Sequence, residues 1–510
     1  MSLPPTVALV CAALLFAAPS LASPTIHLVL PDGTGDFAKI QDALDAAVSG
    51  DEIVLGDGTF LGARNRDLNF LGKNLTLRAQ SGDPALCTID CQGASRGLSV
   101  TQGETDVLVE GITIQNGFGP WGGGINCMNV TATFRRCVIT RCSADDSFGA
   151  AIAAGAYAIN SRVTFEDCTF AENFFALRGT GAGLFAWGNS NVTATRCRFI
   201  GNHARGTTAG GTGGGIRVQD SRLTLIDCEI VGNQAKTGAG ISTGQLCIVD
   251  FRNCLIAGNV SNDAADGTSI AGGIQFGYDT DGSVESCTIV GNRAHDRGAG
   301  IHVANDCNLT FMKTILWGNC IEGVGVESAY LLSLGALDFH CSDVDPLTVQ
   351  GGTVTYTNSL AVDPLFCAPE PCANAPTSAG AYTLDGSSPL ASAAGCGLIG
   401  RSPVACGTSV GVPDGPLAAH GLGIHGAPNP SRGNTTLHYA LPEPGRVAVE
   451  VFDAAGRLVV RFDEGTRERG PHTIAWDGRS RNGARVSSGA YFVRVTSGGR
   501  TAGDWIIRVE

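Results

Sequence analysis

The stretch Cys228-Glu-Ile-Val-Gly-Asn233 decides the fold, because near copies of it recur through the middle of the chain. The other copies begin at Cys137, Cys168, Cys197, Cys254, Cys287 and Thr314. A second phrase, a short Gly/Ala run closed by an aliphatic residue, ends at Ile125, Ile152, Leu184, Ile216, Ile241, Ile274 and Ile301. The interval between the two phrases is 12 or 13 residues, except for 16 from Ile152 to Cys168. The full period of 25 to 33 residues is typical of a solenoid.

One repeat predicts three short strands and no helix. In the copy that begins at Ser221, Leu223 and Leu225 alternate with polar neighbours, which indicates a strand with one buried face. Cys228 and Ile230 then form a second strand, and the Gly-rich phrase starts a third. We expect Asn233 to close the second strand in the left-handed conformation that a tight corner needs. The prediction is an all-β chain folded as a right-handed parallel β-helix.

Stacking of the coils explains the constant positions. Coils about 4.8 Å apart place equivalent side chains on top of each other. We expect an interior thiol column formed by Cys137, Cys168, Cys197, Cys228, Cys254 and Cys287. We expect an amide ladder formed by Asn116, Asn173, Asn202, Asn233, Asn259, Asn292 and Asn319. A β-sandwich with chance repetition is the alternative, but it does not predict a fixed offset between two phrases.

The N-terminal part predicts a cap on the solenoid. Residues 31–47 form a Gly-rich stretch followed by a helix whose apolar face carries Phe37, Ile40, Leu44 and Ala47. Such a helix would cover the open strand edges of the first coil. Residues 25–95 resemble the N-terminal opening of the pectin-lyase-like superfamily of right-handed β-helices. The repeats over 110–320 are similar to those of chlamydial polymorphic membrane proteins, which are surface adhesins.

The C-terminal part predicts a separate small sandwich. Residues 23–409 contain the solenoid with its caps, and 410–426 are predicted to be a linker. From Ala427 to Glu510, six alternating stretches separated by Gly, Pro and Asn turns indicate an Ig-like sandwich. Asn429-Pro430, Trp476-Asp-Gly478 and Ser488-Gly-Ala-Tyr-Phe492 resemble flagellar hook-capping Ig-like domains and type IX secretion sorting domains. The resemblance implies a role in secretion or attachment; the alternative is a plain accessory sandwich.

Composition predicts an exported protein. Residues 1–22 have the apolar run and small-residue cleavage site of a signal peptide. No apolar run reaches the ~18 residues of a membrane-spanning helix. Residues 427–510 carry 12 Arg and 9 acidic residues, so the rest of the chain has a net charge of −16. Because such an acidic region repels polyanions, we expect no nucleic-acid partner. The chain is expected to be a monomer.

The cysteines outside the column suggest disulfides. We expect disulfide pairs Cys87/Cys91, Cys367/Cys372 and Cys396/Cys406, because the two members of each pair lie close in the sequence.

No catalytic residues can be recognised, and no metal site is predicted. Loops after the Gly-rich phrase suggest a weaker ligand-binding set, which comprises Tyr157, Trp187, Phe276, Tyr278, Asp279 and Asp281. Asp279 and Asp281 could share a Ca²⁺ ion, although a solvated turn is the simpler interpretation. We expect a secreted or outer-surface protein that binds extracellular polysaccharides or cell-surface glycans. We expect its C-terminal domain to interact with export machinery. The alternative is a polysaccharide lyase or glycoside hydrolase with an unfamiliar active site.

Overall fold

The computed structural model describes residues 24–144, 151–175, 179–204, 211–262, 269–401, 404, 423–427, 435–441, 443–453, 457–498 and 500–508. The chain divides into two units, Met1–Thr408 and Ser409–Glu510. The predicted signal peptide and residues 410–422 of the predicted linker lie outside the described residues. In the part that is described, no helix is long and apolar enough to span a membrane.

The first unit is the predicted right-handed parallel β-helix. Its largest sheet, sheet 1, has 22 strands, two from most coils. They are Ile26–Val29, Glu52–Leu55, Leu68–Asn69, Thr76–Ala79, Leu98–Val100, Val107–Glu110, Ile125–Met128, Thr131–Arg135, Ala156–Ile159, Arg162–Glu166, Leu184–Trp187, Asn191–Thr195, Ile216–Val218, Arg222–Ile226, Ile241–Thr243, Ile248–Arg252, Ile274–Phe276, Asp281–Glu285, Ile301–Val303, Asn308–Met312, Ala329–His340 and Val349–Thr357.

Sheet 2 has eleven strands, one for each coil. They are Gly58–Phe60, Cys87–Asp90, Thr113–Gln115, Val138–Thr140, Thr169–Ala171, Arg198–Ile200, Glu229–Val231, Leu255–Ala257, Thr288–Val290, Ile315–Trp317 and Asp343–Val344. Sheet 3 is a narrow sheet of six two-residue strands, which are His203–Ala204, Gln234–Ala235, Val260–Ser261, Arg293–Ala294, Cys320–Ile321 and Gly325–Val326. The three strands predicted per coil are therefore joined by a short fourth strand in several coils.

Smaller elements complete the first unit. Two further parallel pairs are Phe118–Gly119 with Ser143–Ala144 and Ala151–Ile152 with Gly179–Thr180. An antiparallel pair joins Phe366–Ala368 to Ala381–Leu384, and short 3-10 helices span Pro346–Thr348 and Cys372–Asn374.

The strand register corrects one sequence prediction. Ile125 pairs with Ala156, not with Ile152. Ile152 instead bridges to Trp121, on the segment that precedes the strand. Counting from Ala156 gives 12 residues to Cys168, so the exceptional interval of 16 disappears. The error arose because a second aliphatic residue four positions upstream imitates the end of the phrase.

The thiol column is confirmed. All six predicted cysteines are fully buried, and Thr314 and Ser342 continue the column. The amide N–H of Cys168 lies 3.4 Å from the Sγ atom of Cys197 on the next coil, and the same contact joins Cys254 to Cys287. Phenylalanines two residues after the thiols stack in parallel, with the rings of Phe170 and Phe199 4.7 Å apart.

The amide ladder is confirmed from Asn173 to Asn319. The side-chain amide of Asn202 donates to the Oδ1 atom of Asn233 at 3.0 Å, and that of Asn233 donates to Asn259 at 2.9 Å. Each of these oxygens also accepts the backbone N–H of the preceding asparagine. The second side-chain N–H of Asn233 binds the carbonyl of Phe199, so all its hydrogen-bonding atoms are satisfied.

The predicted role of asparagine at the corner was wrong. The left-handed conformation belongs to the residue before each ladder asparagine, such as Gly232 (φ 64°) and Glu172 (φ 55°). Asn116 (φ 55°) occupies this preceding position, so it lies outside the ladder. The ladder position on its coil is Gly117, and the next coil has Cys142, whose N–H binds Asn173 Oδ1 at 3.0 Å. The asparagine is selected for its inward amide rather than for its backbone.

The N-terminal cap is confirmed. An α-helix at Ile40–Ala46 buries Ile40, Ala43 and Leu44, and Phe37 packs against the same core. The amide of Ile40 donates to the Oδ1 atom of Asn65 at 2.9 Å, which satisfies one of the free donors at the helix start.

Residues 360–401, which we call the strap, run back along the outside of sheet 2. Leu384, Leu390 and Ile399 of the strap are buried around Ile315, and Tyr382 is buried against Val290. The C-terminal cap predicted within residues 23–409 is thus a lateral cover, whereas Val349–Thr357 is the last strand of sheet 1.

The disulfide predictions were wrong. Cys320 is bonded to Cys372, and Cys341 to Cys396. Cys87 and Cys91 are free and buried. The pairs lie 52 and 55 residues apart, because they join the strap to the last coils and not neighbours in a loop.

The second unit consists of antiparallel sheets. One contains Gly423–Ala427, Thr435–Leu441 and Gly470–Trp476, and the other contains Leu458–Arg467, Gly445–Asp453, Gly489–Ser497 and Arg500–Arg508. Its first strand begins inside the predicted linker. Trp476 is buried between the sheets, packs edge to face with Tyr491 and donates from Nε1 to the carbonyl of Arg479 at 2.8 Å.

Candidate functional site

A row of outward-facing side chains follows the first strand of successive coils in sheet 1. We call Arg217, Ser242, Gln275, His302 and Tyr330 the outer row. Each is paired in register with the next, so the row advances by one residue per coil, about 4.8 Å. Each member directly follows a buried residue, which is the aliphatic end of the Gly-rich phrase in four coils and Ala329 in the fifth. Because side chains alternate along a strand, the next residue faces outward.

The outer row lies in a crease, so its side chains are covered although they face outward. Arg217, Gln275 and Tyr330 are partly buried, and Ser242 (0% exposed) and His302 (5% exposed) are buried. Before each strand the chain makes a left-handed turn, at Gly213 (φ 67°) and Gly298 (φ 66°) among others. A Cβ atom added at Gly298 would stand 2.7 Å from the Cβ atom of His302, and one at Gly213 2.8 Å from that of Arg217. Glycine therefore lets the turn approach the row and form one wall of the crease.

In the upstream half of the row, uncharged hydrogen-bonding groups surround the guanidinium of Arg217. The Nη1 atom of Arg217 donates to Ser242 Oγ at 2.6 Å and to the carbonyl of Thr243 at 3.1 Å. Ser242 Oγ in turn donates to Gln275 Oε1 at 2.6 Å, and Arg217 Nη2 donates to Gln219 Oε1 at 3.3 Å. Among the described residues, no carboxylate pairs with Arg217, and its Nε atom is buried without an acceptor. Burial lowers the pKa of Arg217.

The downstream half is an aromatic pair beside charged groups. The rings of His302 and Tyr330 stack 5.7 Å apart, and the guanidinium of Arg297 lies 4.8 Å from the centre of the Tyr330 ring. Arg297 also donates to the Tyr330 hydroxyl at 3.3 Å and pairs with Asp296 at 2.9 Å. The carboxylate of Glu327 accepts the N–H of Gly298, the turn residue beside His302.

Burial shifts the pKa values in this downstream half. It lowers the pKa of His302 to about 4, with help from the nearby positive charge of Arg297, so the imidazole is neutral at pH 7. The Nδ1 atom of His302 is buried without a partner. Burial also raises the pKa of Glu327, against the hydrogen bond from Gly298. An acid, a guanidinium, a neutral imidazole and a phenol thus surround one stretch of the crease.

Two of the sequence-predicted ligand residues lie inside the protein. Phe276 is fully buried in the solenoid core, packed edge to face with Phe311. Tyr157 lies in line with the outer row but is 4% exposed, because its ring packs on Phe185 in a small apolar cluster. Neither offers a ring face to a ligand in this structure.

The other two predicted aromatic residues are exposed. Trp187 ends its strand one coil before Arg217, is 38% exposed, and its Nε1 donates to Asp220 Oδ2 at 3.2 Å. Tyr278 is 46% exposed and follows the strand of Gln275. Trp187 stands two residues after Phe185, which is paired in register with Arg217 of the outer row.

The acidic pair has the geometry of a turn. Asp279 takes the left-handed corner conformation (φ 54°), and Asp281 starts the next strand. Both are exposed. Across the described ranges no group of three His, Cys, Asp or Glu side chains converges as a metal site would require. Calcium binding at Asp279 and Asp281 stays a prediction.

Sequence reasoning missed all five members of the outer row. A signal was available for four of them, since Arg217, Ser242, Gln275 and His302 each follow the aliphatic end of a Gly-rich phrase. The spacing marks these positions as equivalent, but it does not show that the preceding turn folds over them.

Family comparisons match both parts of the chain. Residues 85–199 and 182–331 match the model of the right-handed β-helix region, and residues 430–500 match the model of the FlgD Ig-like domain. No curated protein matches the chain.

Solved structures give weaker likenesses. Dimeric latent PorU from Porphyromonas gingivalis is 28% identical over 17% of this chain and 9% of its own, with a TM-score of 0.15. Pectin methylesterase from carrot is 14% identical over 68% of this chain and 91% of its own, with a TM-score of 0.29. A mannuronic acid specific polysaccharide family 6 lyase from human gut microbiota is 14% identical over 67% and 92%, with a TM-score of 0.29. At these TM-scores none of the three carries an argument about activity.

Proposed function

We propose that this chain, a right-handed β-helix with a C-terminal FlgD Ig-like domain, is an exported protein that binds glycan chains along the outer row. The observation that carries the proposal is the row itself: equivalent polar side chains repeated coil by coil beside an exposed tryptophan. A polymer with a regular repeat can contact several coils in the same way, so weak contacts add along its length.

The chemistry of the row suits sugars. Sugar hydroxyl groups donate and accept hydrogen bonds, and the partly exposed Gln275 amide and Tyr330 hydroxyl can do both. The exposed face of Trp187 can stack on the apolar face of a sugar ring.

A glycan array with the full-length protein tests binding. We expect retention of particular polysaccharides by the wild type, and at least about tenfold weaker binding for Trp187→Ala. Phe118→Ala is the matched control, since Phe118 is 37% exposed but lies on a different strand pair. Equal loss in both variants, or no binding by the wild type, would contradict the proposal.

A second candidate, polysaccharide cleavage, is favoured by the downstream half of the row. A neutral imidazole, a phenol, a guanidinium and a buried carboxyl group near one another are the groups that proton-transfer catalysis uses. Incubation with a polysaccharide panel, followed by assays for reducing ends and unsaturated products, tests it. Turnover that His302→Ala abolishes and Phe118→Ala keeps would make cleavage the leading function.

The C-terminal domain is proposed to serve secretion or attachment. If it does, deletion of 427–510 leaves the solenoid in the periplasm while the intact chain reaches the surface or medium. Undiminished export of the shortened chain would leave the domain with an accessory role only.

A further inference from the structure

The strap covers an apolar stripe on the outside of sheet 2. The stripe consists of outward side chains of successive coils, which are Ile200, Val231, Leu255, Ala257, Val290 and Ile315. Tyr382, Leu384 and Ile399 of the strap are buried against it. Without the strap the stripe would be an exposed apolar surface on an otherwise polar solenoid face.

Scattered polar bonds hold the strap. At its start Leu360 exchanges backbone hydrogen bonds with Ser342 and Val344, and further along the carbonyl of Ala373 accepts from Arg293 Nη1 at 3.0 Å. The N–H of Thr377 donates to the carbonyl of Gly258 at 3.0 Å, and that of Gly400 to the carbonyl of Lys313 at 2.7 Å. At the strap's end, Arg401 donates to Glu229 Oε1 at 2.9 Å. Unlike a solenoid strand, the strap makes no continuous ladder of backbone bonds with sheet 2.

Covalent bonds supply the remaining anchors. Cys320–Cys372 holds the first half of the strap and Cys341–Cys396 the second half, and both start from the last coils. Cys320, Cys341 and Cys372 are partly exposed, so a reductant can reach one sulfur of each bond. No described cysteine in the coils before Cys320 is in a disulfide.

We propose that the strap is a redox-controlled cover: its disulfides keep it on sheet 2, and their reduction lets it lift off while the coils beneath stay folded. The coils do not depend on these bonds, because the core and the amide ladder hold them together. Lifting the strap exposes the apolar stripe to solvent.

The chemical step is thiol–disulfide exchange with a dithiol. A thiolate of the dithiol attacks one sulfur and forms a mixed disulfide, and its second thiolate then releases the other cysteine. Each protein disulfide gains two electrons and two protons and becomes two thiols. The dithiol loses the same and becomes a disulfide.

Hydrogen exchange on the folded full-length protein tests the proposal. After treatment with dithiothreitol, and with thiol counting to confirm reduction, we expect amides of residues 360–401 to exchange at least about a hundredfold faster. Amides of the ladder coils, such as Asn202 and Asn233, keep their rates. Fluorescence of a hydrophobic dye rises in parallel with strap exchange.

A variant with the four cysteines of these two bonds changed to serine (C320S, C341S, C372S and C396S), and with Cys367, which is also in a disulfide, changed as well (C367S), should show the open strap without reductant. Cys91→Ser, which changes a free interior cysteine, is the control and should leave strap exchange unchanged. A strap that stays protected after complete reduction would overturn the proposal. So would exchange that accelerates equally in the strap and in the ladder coils, since that means general unfolding.

Discussion

Cysteines of the solenoid interior and cysteines of the strap region differ in oxidation state. Twelve cysteines between Cys87 and Cys307 are free and buried, whereas Cys320, Cys341, Cys367, Cys372 and Cys396 are in disulfides. Neighbours in the thiol column are separated by one coil, about 4.8 Å between Cα atoms, which is within disulfide range. Their side chains nevertheless point in the same direction, because stacked coils repeat each orientation.

The difference teaches that orientation and burial, not proximity, decide cysteine chemistry here. In the interior, burial raises the pKa of Cys87 and of Cys142 to about 12, so these two thiols stay protonated at pH 7. In the strap region two separate chain segments meet face to face near the surface. A column thiol acts as a small core residue, and a strap cysteine acts as a link.

The largest effect is expected from removing one asparagine of the amide ladder, which tests how strongly the ladder stabilises the coils. Asn233→Ala leaves the N–H and one amide hydrogen of Asn202, and the carbonyl of Phe199, without partners. The free energy of unfolding of the first unit should fall by about 3–5 kcal/mol in urea titrations. Asn308→Ala, at an exposed strand start, is the control and should change it by less than about 0.5 kcal/mol. Equal effects would show that the ladder is unimportant.

A pH titration examines the strap side of the comparison. Asp343 lies under the strap with Oδ1 accepting from Val362 at 3.0 Å and Oδ2 buried without a partner, and Asp363 is the nearby charge. Burial raises the pKa of Asp343 to about 7. The folded state therefore binds this proton more tightly, so the contribution of Asp343 to stability is fully present below about pH 4 and is lost as pH rises from about 4 to 7. The loss above pH 7 amounts to up to about 4 kcal/mol.

Asp343→Asn keeps the acceptor for Val362 and removes the ionisation. We expect its unfolding free energy to be independent of pH over this interval, apart from contributions of other groups that the wild type shares. Denaturant titrations at pH 4.5, 6 and 8 measure both proteins. Parallel curves for wild type and variant would show that Asp343 does not titrate in this range.

A serine exchange compares the two kinds of cysteine directly. Cys228→Ser should cost about 1 kcal/mol, because its hydroxyl can bond the carbonyls of Ala194 and Ile226 that the thiol bonds now. The double change Cys341→Ser with Cys396→Ser should cost about 2–4 kcal/mol by loss of the cross-link. Thermal unfolding of the oxidised proteins measures both losses of stability. A larger loss for Cys228→Ser than for the double change would contradict the different roles assigned to the two kinds of cysteine.

The smallest expected effect concerns the polar end of the strap. Glu229 lies between Arg198 at 3.1 Å and Arg401 at 2.9 Å. Burial favours its neutral form, but the two guanidiniums outweigh burial and lower the pKa of Glu229. Arg401→Gln should destabilise strap closure by at most about 1 kcal/mol, since the site is partly exposed. Hydrogen exchange near residue 401 measures it, and a much larger effect would mean that this pair, not the disulfides, holds the strap.

The periodic part of the molecule could be predicted almost completely from its sequence. Two phrases at a constant offset gave the coils, the thiol column and the ladder from Asn173 onward, because in a solenoid each position meets its own equivalent in the next coil. Errors arose where periodicity offers two choices. Ile152 imitates the end of a phrase, and Asn116 stands one residue before the ladder position.

The candidate site was predicted only in part. Trp187 and Tyr278 are exposed as expected. Phe276 is buried because a shift of one residue along a strand exchanges inside and outside, whereas Tyr157 faces outward and is buried by packing on Phe185. The outer row could not be predicted from the sequence, because its burial depends on a glycine turn that folds over it. No local pattern around Arg217 or His302 reveals that approach.

The sequence by itself determined the coil, its length and the side chains that stack inside it, because these follow from contacts between neighbouring repeats. Only the tertiary structure decided how the strap returns over sheet 2 and which cysteines it joins. It likewise decided that a guanidinium, an imidazole and a phenol share one crease. These arrangements depend on contacts between segments without a repeat relationship, so no spacing in the chain encodes them.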